Sequence, residues 1–172
     1  MPGVSGIMKR MDYGPGVEDT GAVCDWLAAR GDFGHFIGGA FTPPGPPGGM
    51  FTSFDPATDA PLARVTQGRA EDMARAVAAA RAAQPGWAAL SGHERAGYLY
   101  AMARTLKRRA PFFAMLETLD TGKPIRESRD MDLPLAVRHF QHHAGWAELC
   151  GSEFPGQKPL GVCGQIIAWN SP

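Results

Sequence analysis

The chain has no apolar run approaching the ~18 residues that mark a bilayer-spanning helix. Its three cysteines, Cys24, Cys150 and Cys163, are far apart and odd in number. With no Cys-x-x-Cys pair, they argue against a disulfide framework or a structural zinc site. Neither sign of charge is in excess, with 17 Lys plus Arg against 17 Asp plus Glu. A neutral balance gives no reason to expect nucleic acid or an anionic membrane as partner. The opening MPGVSGIMKRMDYG lacks the long apolar segment of a signal peptide. A cytoplasmic location is therefore the expectation. No internal repeat is present.

What is present allows a core, since 44% of the 172 residues are hydrophobic. In AVCDWLAARG (Ala22 to Gly31), Val23, Trp26, Leu27 and Ala28 predict a short amphipathic helix ended by Gly31. Apolar flanks around Gly38-Gly39 predict a tight hairpin, because both turn positions accept positive φ. TPPGPPGG (Thr42 to Gly49) holds four prolines and three glycines, which makes it a loop. Short extended pieces follow around a turn at Asp55-Pro56.

From Ala70 the pattern turns helical. Met73, Ala76, Val77 and Ala80 share one face, and Pro85-Gly86 signals the end. Ser91 and Glu94 have capping-box spacing. They open a helix whose apolar positions are Ala96, Leu99, Met102, Ala103 and Leu106. The basic RTLKRR (Arg104 to Arg109) reads as its last turn, where cations complement exposed carbonyls. Pro111 opens the next helix, with Phe112, Met115, Leu116 and Leu119 as its stripe and Thr121-Gly122 as its stop. A last helix is expected from Leu133 to Cys150, ended by Gly151. Its candidate buried positions are Leu135, Val137, Phe140, Ala144, Ala147 and Leu149. VCGQII (Val162 to Ile167) is β-branched and apolar enough for a buried strand. One buried strand needs neighbours for its amides and carbonyls, which suggests a sheet that continues beyond Pro172.

The order and spacing of these pieces resemble the start of the aldehyde dehydrogenase superfamily. The resemblance covers residues 34 to 172, about four-fifths of the chain. It rests on Ile37 to Gly39, on Asp55 to Thr58, and on the helical run from AEDMARAV to TLKRR. LETLDTGKP (Leu116 to Pro124) and the terminal GVCGQIIAWNSP complete it. The arm MDYGPGVEDTGAVCDWL and the shortened stretch after the last helix look most like family 16. The implied organisation is an arm, residues 1 to 33, followed by an incomplete N-terminal portion of the domain, residues 34 to 172. The implied fold class is α/β, a Rossmann-type NAD(P)-binding domain seen as helices, short hairpins and one buried strand.

The same resemblance implies oxidation of an aldehyde to a carboxylic acid through a cysteine thiohemiacetal, with NAD or NADP as cofactor. Ile166, Ile167, Ala168 and Trp169 would neighbour the cofactor. Asn170 would donate to the substrate oxygen as negative charge develops there. The family usually has proline where this chain has Ala168, and a bulky residue where it has Ser171. The nucleophilic cysteine, the glutamate base and the glycine-containing cofactor turn would all match positions beyond Pro172. Cys163 would be a small buried hydrophobe. The hairpin that joins subunits in the family has little room in GSEFPGQKPLG (Gly151 to Gly161), since Pro155, Gly156 and Pro159 interrupt it. A homodimer is the expected assembly. This chain alone would be inactive.

Two other readings stand beside this one: a non-catalytic scaffold or interaction protein of family-16 type, and an unrelated helical binding module. His139, His142 and His143 have a spacing that could hold a metal, but a polar helix face is the better reading. Gly122-Lys123 lacks the rest of a phosphate loop.

Overall fold

The computed structural model describes residues 20–46, 49–170 and 172. Most of the expected arm, the end of the proline-rich loop and Ser171 lie outside the described residues.

Helix α1 spans Thr20–Arg30. It buries Val23 and Leu27 and stops at Gly31, whose φ of +70° is left-handed. Strands β1 (Phe36–Ile37) and β2 (Ala40–Phe41) pair antiparallel around Gly38-Gly39, the hairpin the sequence predicts. Strands β3 (Met50–Phe54) and β4 (Pro61–Thr66) form a second antiparallel pair. Asp55 builds the turn between them, its carboxylate accepting from the Ala57 amide at 2.9 Å and the Thr58 hydroxyl at 2.8 Å. Phe33 bridges to Val65 and ties α1 to this sheet.

Helices follow: α2 (Ala70–Ala89), α3 (Gly92–Arg108), α4 (Ala110–Thr121), α5 (Ile125–Glu127) and α6 (Leu133–Glu153). A π-helical turn, Ser128–Asp132, leads into α6. The Ser91–Glu94 capping box forms as predicted. Glu94 N donates to Ser91 Oγ at 3.2 Å, and Ser91 N donates to Glu94 Oε2 at 2.7 Å. Lys107 and Arg108 occupy the last turn of α3. Gly122 caps α4 with φ +77°.

Two packing centres result. Val23 and Leu27 of α1 meet Met115 of α4, with Phe33, Phe112 and Leu119 around them. The second lies where α3 runs along α6. Here Ala96, Ala103 and Ala144 are essentially inaccessible, because small side chains let helix backbones approach closely. The architecture is that of a partial α/β domain: helices and short hairpins with an incomplete sheet. No described helix is long and apolar enough to cross a membrane.

Four local expectations fail for identifiable reasons. Helix α2 does not end at Pro85 but runs through it to Ala89. A proline removes one bond and crowds the carbonyl four residues back, and on this exposed helix water can serve that carbonyl. The face of α2 is also less covered than expected, since Ala76 and Val77 are half-buried while Met73 and Ala80 are exposed. Helix α6 continues past Gly151 to Glu153, and Phe154 N still donates to Cys150 O. Pro155 is the real stop, because a proline disfavours helical geometry in the residue before it. On α6 the buried stripe is Leu133, Val137 and Ala144. Leu135 and Leu149 are exposed, since at 100° per residue they point away from that stripe.

The largest correction concerns residues 162–167, which form no strand and are exposed. The described strands pair only as β1 with β2 and β3 with β4. A strand with no partner for its amides leaves them to water, so the segment stays irregular. Cys163 is accordingly exposed rather than a buried hydrophobe.

Candidate functional site

The residues singled out from the sequence lie together on the tail that follows α6. Ile166, Ile167, Ala168, Trp169 and Asn170 are consecutive and exposed. Ile166 is fully accessible and Trp169 is 85% accessible. Trp169 and Asn170 sit in a turn. The segment therefore presents a row of apolar side chains ending in one carboxamide.

The tail's last residue, Pro172, lines a groove of about 820 Å³. Trp26, Val65, Phe113 and Phe140 give this groove its apolar character, while Ser53, Glu117, Asp120 and Asp132 are polar members of the lining. Trp26 is held edge-on to Phe112, with ring centroids 5.4 Å apart. The polar members are already engaged. Ser53 Oγ donates to Asp120 Oδ1 at 2.5 Å. Lys123 Nζ donates to Glu117 Oε1 at 2.7 Å and to Asp132 Oδ2 at 2.5 Å. Burial works against the Lys123 charge, but its bonds to Asp132 and Glu117 outweigh that and hold the ammonium above its usual range.

The sequence reading missed this ion cluster. Gly122 is the helix stop that the sequence predicts, whereas Lys123 has a structural role beyond failing to complete a phosphate loop. The available signal was a lysine just past a helix that carries Glu117 and Asp120, with Asp130 and Asp132 a few residues on. The three histidines of α6 behave as a helix face. His143 Nδ1 donates to His139 O at 2.8 Å, and Trp146 Nε1 donates to His142 Nε2 at 3.0 Å. Among the described residues, no group of three or more His, Cys, Asp or Glu is placed to hold a metal ion.

Helices and two short hairpins with an incomplete sheet and an uncovered apolar tail make this a partial α/β domain. The sequence profile described as "Aldehyde dehydrogenase family" matches residues 45–172, and the chain belongs to that family. An acetaldehyde dehydrogenase of Pseudomonas aeruginosa is 38% identical over 150 residues, covering 81% of this chain and 29% of that protein. The NAD+ complex of an aldehyde dehydrogenase from Bacillus cereus superposes with a TM-score of 0.68 at 33% identity, over 79% of this chain and 27% of that one. A mutant aldehyde dehydrogenase C of Pseudomonas syringae, complexed with NAD+ and octanal, superposes at 0.62 with 32% identity, over 68% of this chain and 24% of that one. The chain thus spans about three-tenths of the length of the curated relatives it matches.

Proposed function

We propose that this chain is the N-terminal portion of an aldehyde dehydrogenase of family-16 type, with residues 1–33 as arm and 34–172 as domain. The complete protein oxidises an aldehyde to a carboxylic acid through a cysteine thiohemiacetal, with NAD or NADP. The observation that carries this reading is the exposed apolar row Ile166 to Trp169 ending in the carboxamide of Asn170.

These residues fit one end of the cofactor. A flat nicotinamide suits the uncovered surface of Ile166, Ile167, Ala168 and Trp169, and nothing in that row suits a pyrophosphate. Held there, the nicotinamide would supply a hydride acceptor. The contribution of this chain is different. The Asn170 amide donates to the aldehyde oxygen, where negative charge develops as the thiolate attacks, and a fixed donor aimed at that oxygen lowers the barrier. In this reading none of Cys24, Cys150 and Cys163 is the nucleophile. Thiol attack needs an electropositive setting that favours the thiolate, and Cys163 Sγ instead lies 3.8 Å from Gly161 O.

An Asn170→Ala substitution in the complete protein tests the role. A loss in kcat of about 10²–10³ fold is expected, the usual effect of removing one oxyanion donor. An unchanged kcat with a shifted KM would make Asn170 a positioning residue instead.

The proposed assembly is a homodimer. It is supported by the sequence from Gly151 to Gly161, where Pro155, Gly156 and Pro159 leave little room for the two paired strands of a subunit-joining hairpin. Light scattering on the complete protein tests this, and a tetramer joined through these residues would refute it. The non-catalytic scaffold remains the second reading, favoured by Ala168 standing where the family usually has proline. Aldehyde turnover by the complete protein decides between the two.

A further inference from the structure

His35 opens the β1–β2 hairpin. Its amide donates to Thr42 Oγ1 at 3.0 Å, and its carbonyl accepts from Thr42 N at 2.7 Å. The ring points at the first turn of α2. There His35 Nε2 lies 3.5 Å from Asp72 Oδ2. That nitrogen is buried and makes no hydrogen bond. Buried polar atoms are almost always paired, so an orphan aimed at a carboxylate calls for a function.

Asp72 is otherwise well served. Its Oδ2 accepts from Arg69 N at 3.0 Å, and its Oδ1 accepts from Arg75. The Arg75 and Arg69 bonds hold its carboxyl below the ordinary range, and the His35 charge adds to them. Asp72 is therefore anionic throughout the range in which histidines titrate. Arg69, Glu71 and Arg75 line the cavity of about 230 Å³ beside His35. The charges on other elements near the hairpin are committed elsewhere. Arg30 of α1 lies over the Phe33 and Phe41 rings, and Asp32 pairs with Arg64 of β4. Helix α2 has no buried residue and packs against β1, so this junction has leverage on where α2 sits.

We propose that His35 and Asp72 form a proton-operated clasp between the β1–β2 hairpin and helix α2. With the imidazole protonated, Nε2–H donates to the Asp72 carboxylate and the hairpin is fastened. When the ring loses its positive charge the ion pair is gone, and the junction with α2 is weakened to a neutral contact while Arg30 still covers the Phe41 ring.

Hydrogen exchange on the full chain tests the clasp through the Thr42 amide, which donates to His35 O. After correction for intrinsic exchange, protection should be about fivefold greater at about pH 5.5 than at about pH 8, as an exposed-to-half-buried ion pair allows. His35→Gln should abolish that difference. Asp72→Asn, which keeps the shape of the side chain but removes its charge, should abolish it as well. Protection independent of pH, or a pH response that survives in either His35→Gln or Asp72→Asn, would overturn the proposal.

Discussion

Lys123 Nζ sits 2.5 Å from Asp132 Oδ2, and this contact joins the end of α4 to the start of α6 across the π-helical turn. Glu117 completes the cluster at 2.7 Å. Removing the ammonium leaves two half-covered carboxylates side by side. Lys123→Met should lower stability by about 1.5–3 kcal/mol, the range for hydrogen bonds to charged groups. Denaturant melts check this. Because the Lys123 affinity for its proton is raised on folding, its contribution is complete below the ordinary value of 10.5 and disappears as pH rises through the higher folded value.

The Ser91–Glu94 box gives a pH signature at the opposite end. The Ser91 hydroxyl and amide hold the Glu94 carboxyl below its ordinary 4.5. A depressed carboxylate stabilises the fold above its unfolded value and loses that effect as pH falls through the folded one. The Tm advantage over Glu94→Gln should therefore be complete above about pH 5 and vanish in stronger acid. An advantage that persists in acid would mean that Glu94 acts through packing.

Two glycines of α3 should respond in opposite directions. A Cβ on Gly92 would lie 2.4 Å from the Ala147 carbonyl oxygen, whereas one on Gly97 would meet nothing within 4 Å. Gly92→Ala should force α3 away from α6 and cost about 1–3 kcal/mol. Gly97→Ala should stabilise by roughly 0.5–1 kcal/mol through helix propensity alone. Thermal melts of the two variants give the comparison, and equal shifts would contradict the close approach.

The chemistry yields a paired expectation. This chain incubated with an aldehyde and NAD or NADP should show no steady rise in reduced cofactor. In the complete protein Cys163→Ala should keep most of its activity. Turnover by this chain alone, or loss of activity on Cys163→Ala without unfolding, would reassign the nucleophile.

Local chemistry was legible in the sequence. The Gly38-Gly39 turn, the Ser91–Glu94 cap, Pro111 at a helix start and left-handed Gly122 each depend on a few adjacent residues, and each forms as read. So does the burial of Val23, Leu27 and Met115, which follows from helical periodicity. Where two local signals compete, only the three-dimensional setting decides. Gly151 could end a helix or continue it, and Pro155 made the choice. Pro85 could break α2, but its exposure let the helix go on. Nonlocal features were decided by tertiary structure alone. The strand propensity of residues 162–167 comes to nothing without a paired neighbour, because a strand is stabilised by a partner's amides and carbonyls rather than by its own. Lys123 found its carboxylates, and His35 reached Asp72, only once separate elements had packed, since a distance between side chains on different elements is set by the fold and not by their spacing along the chain.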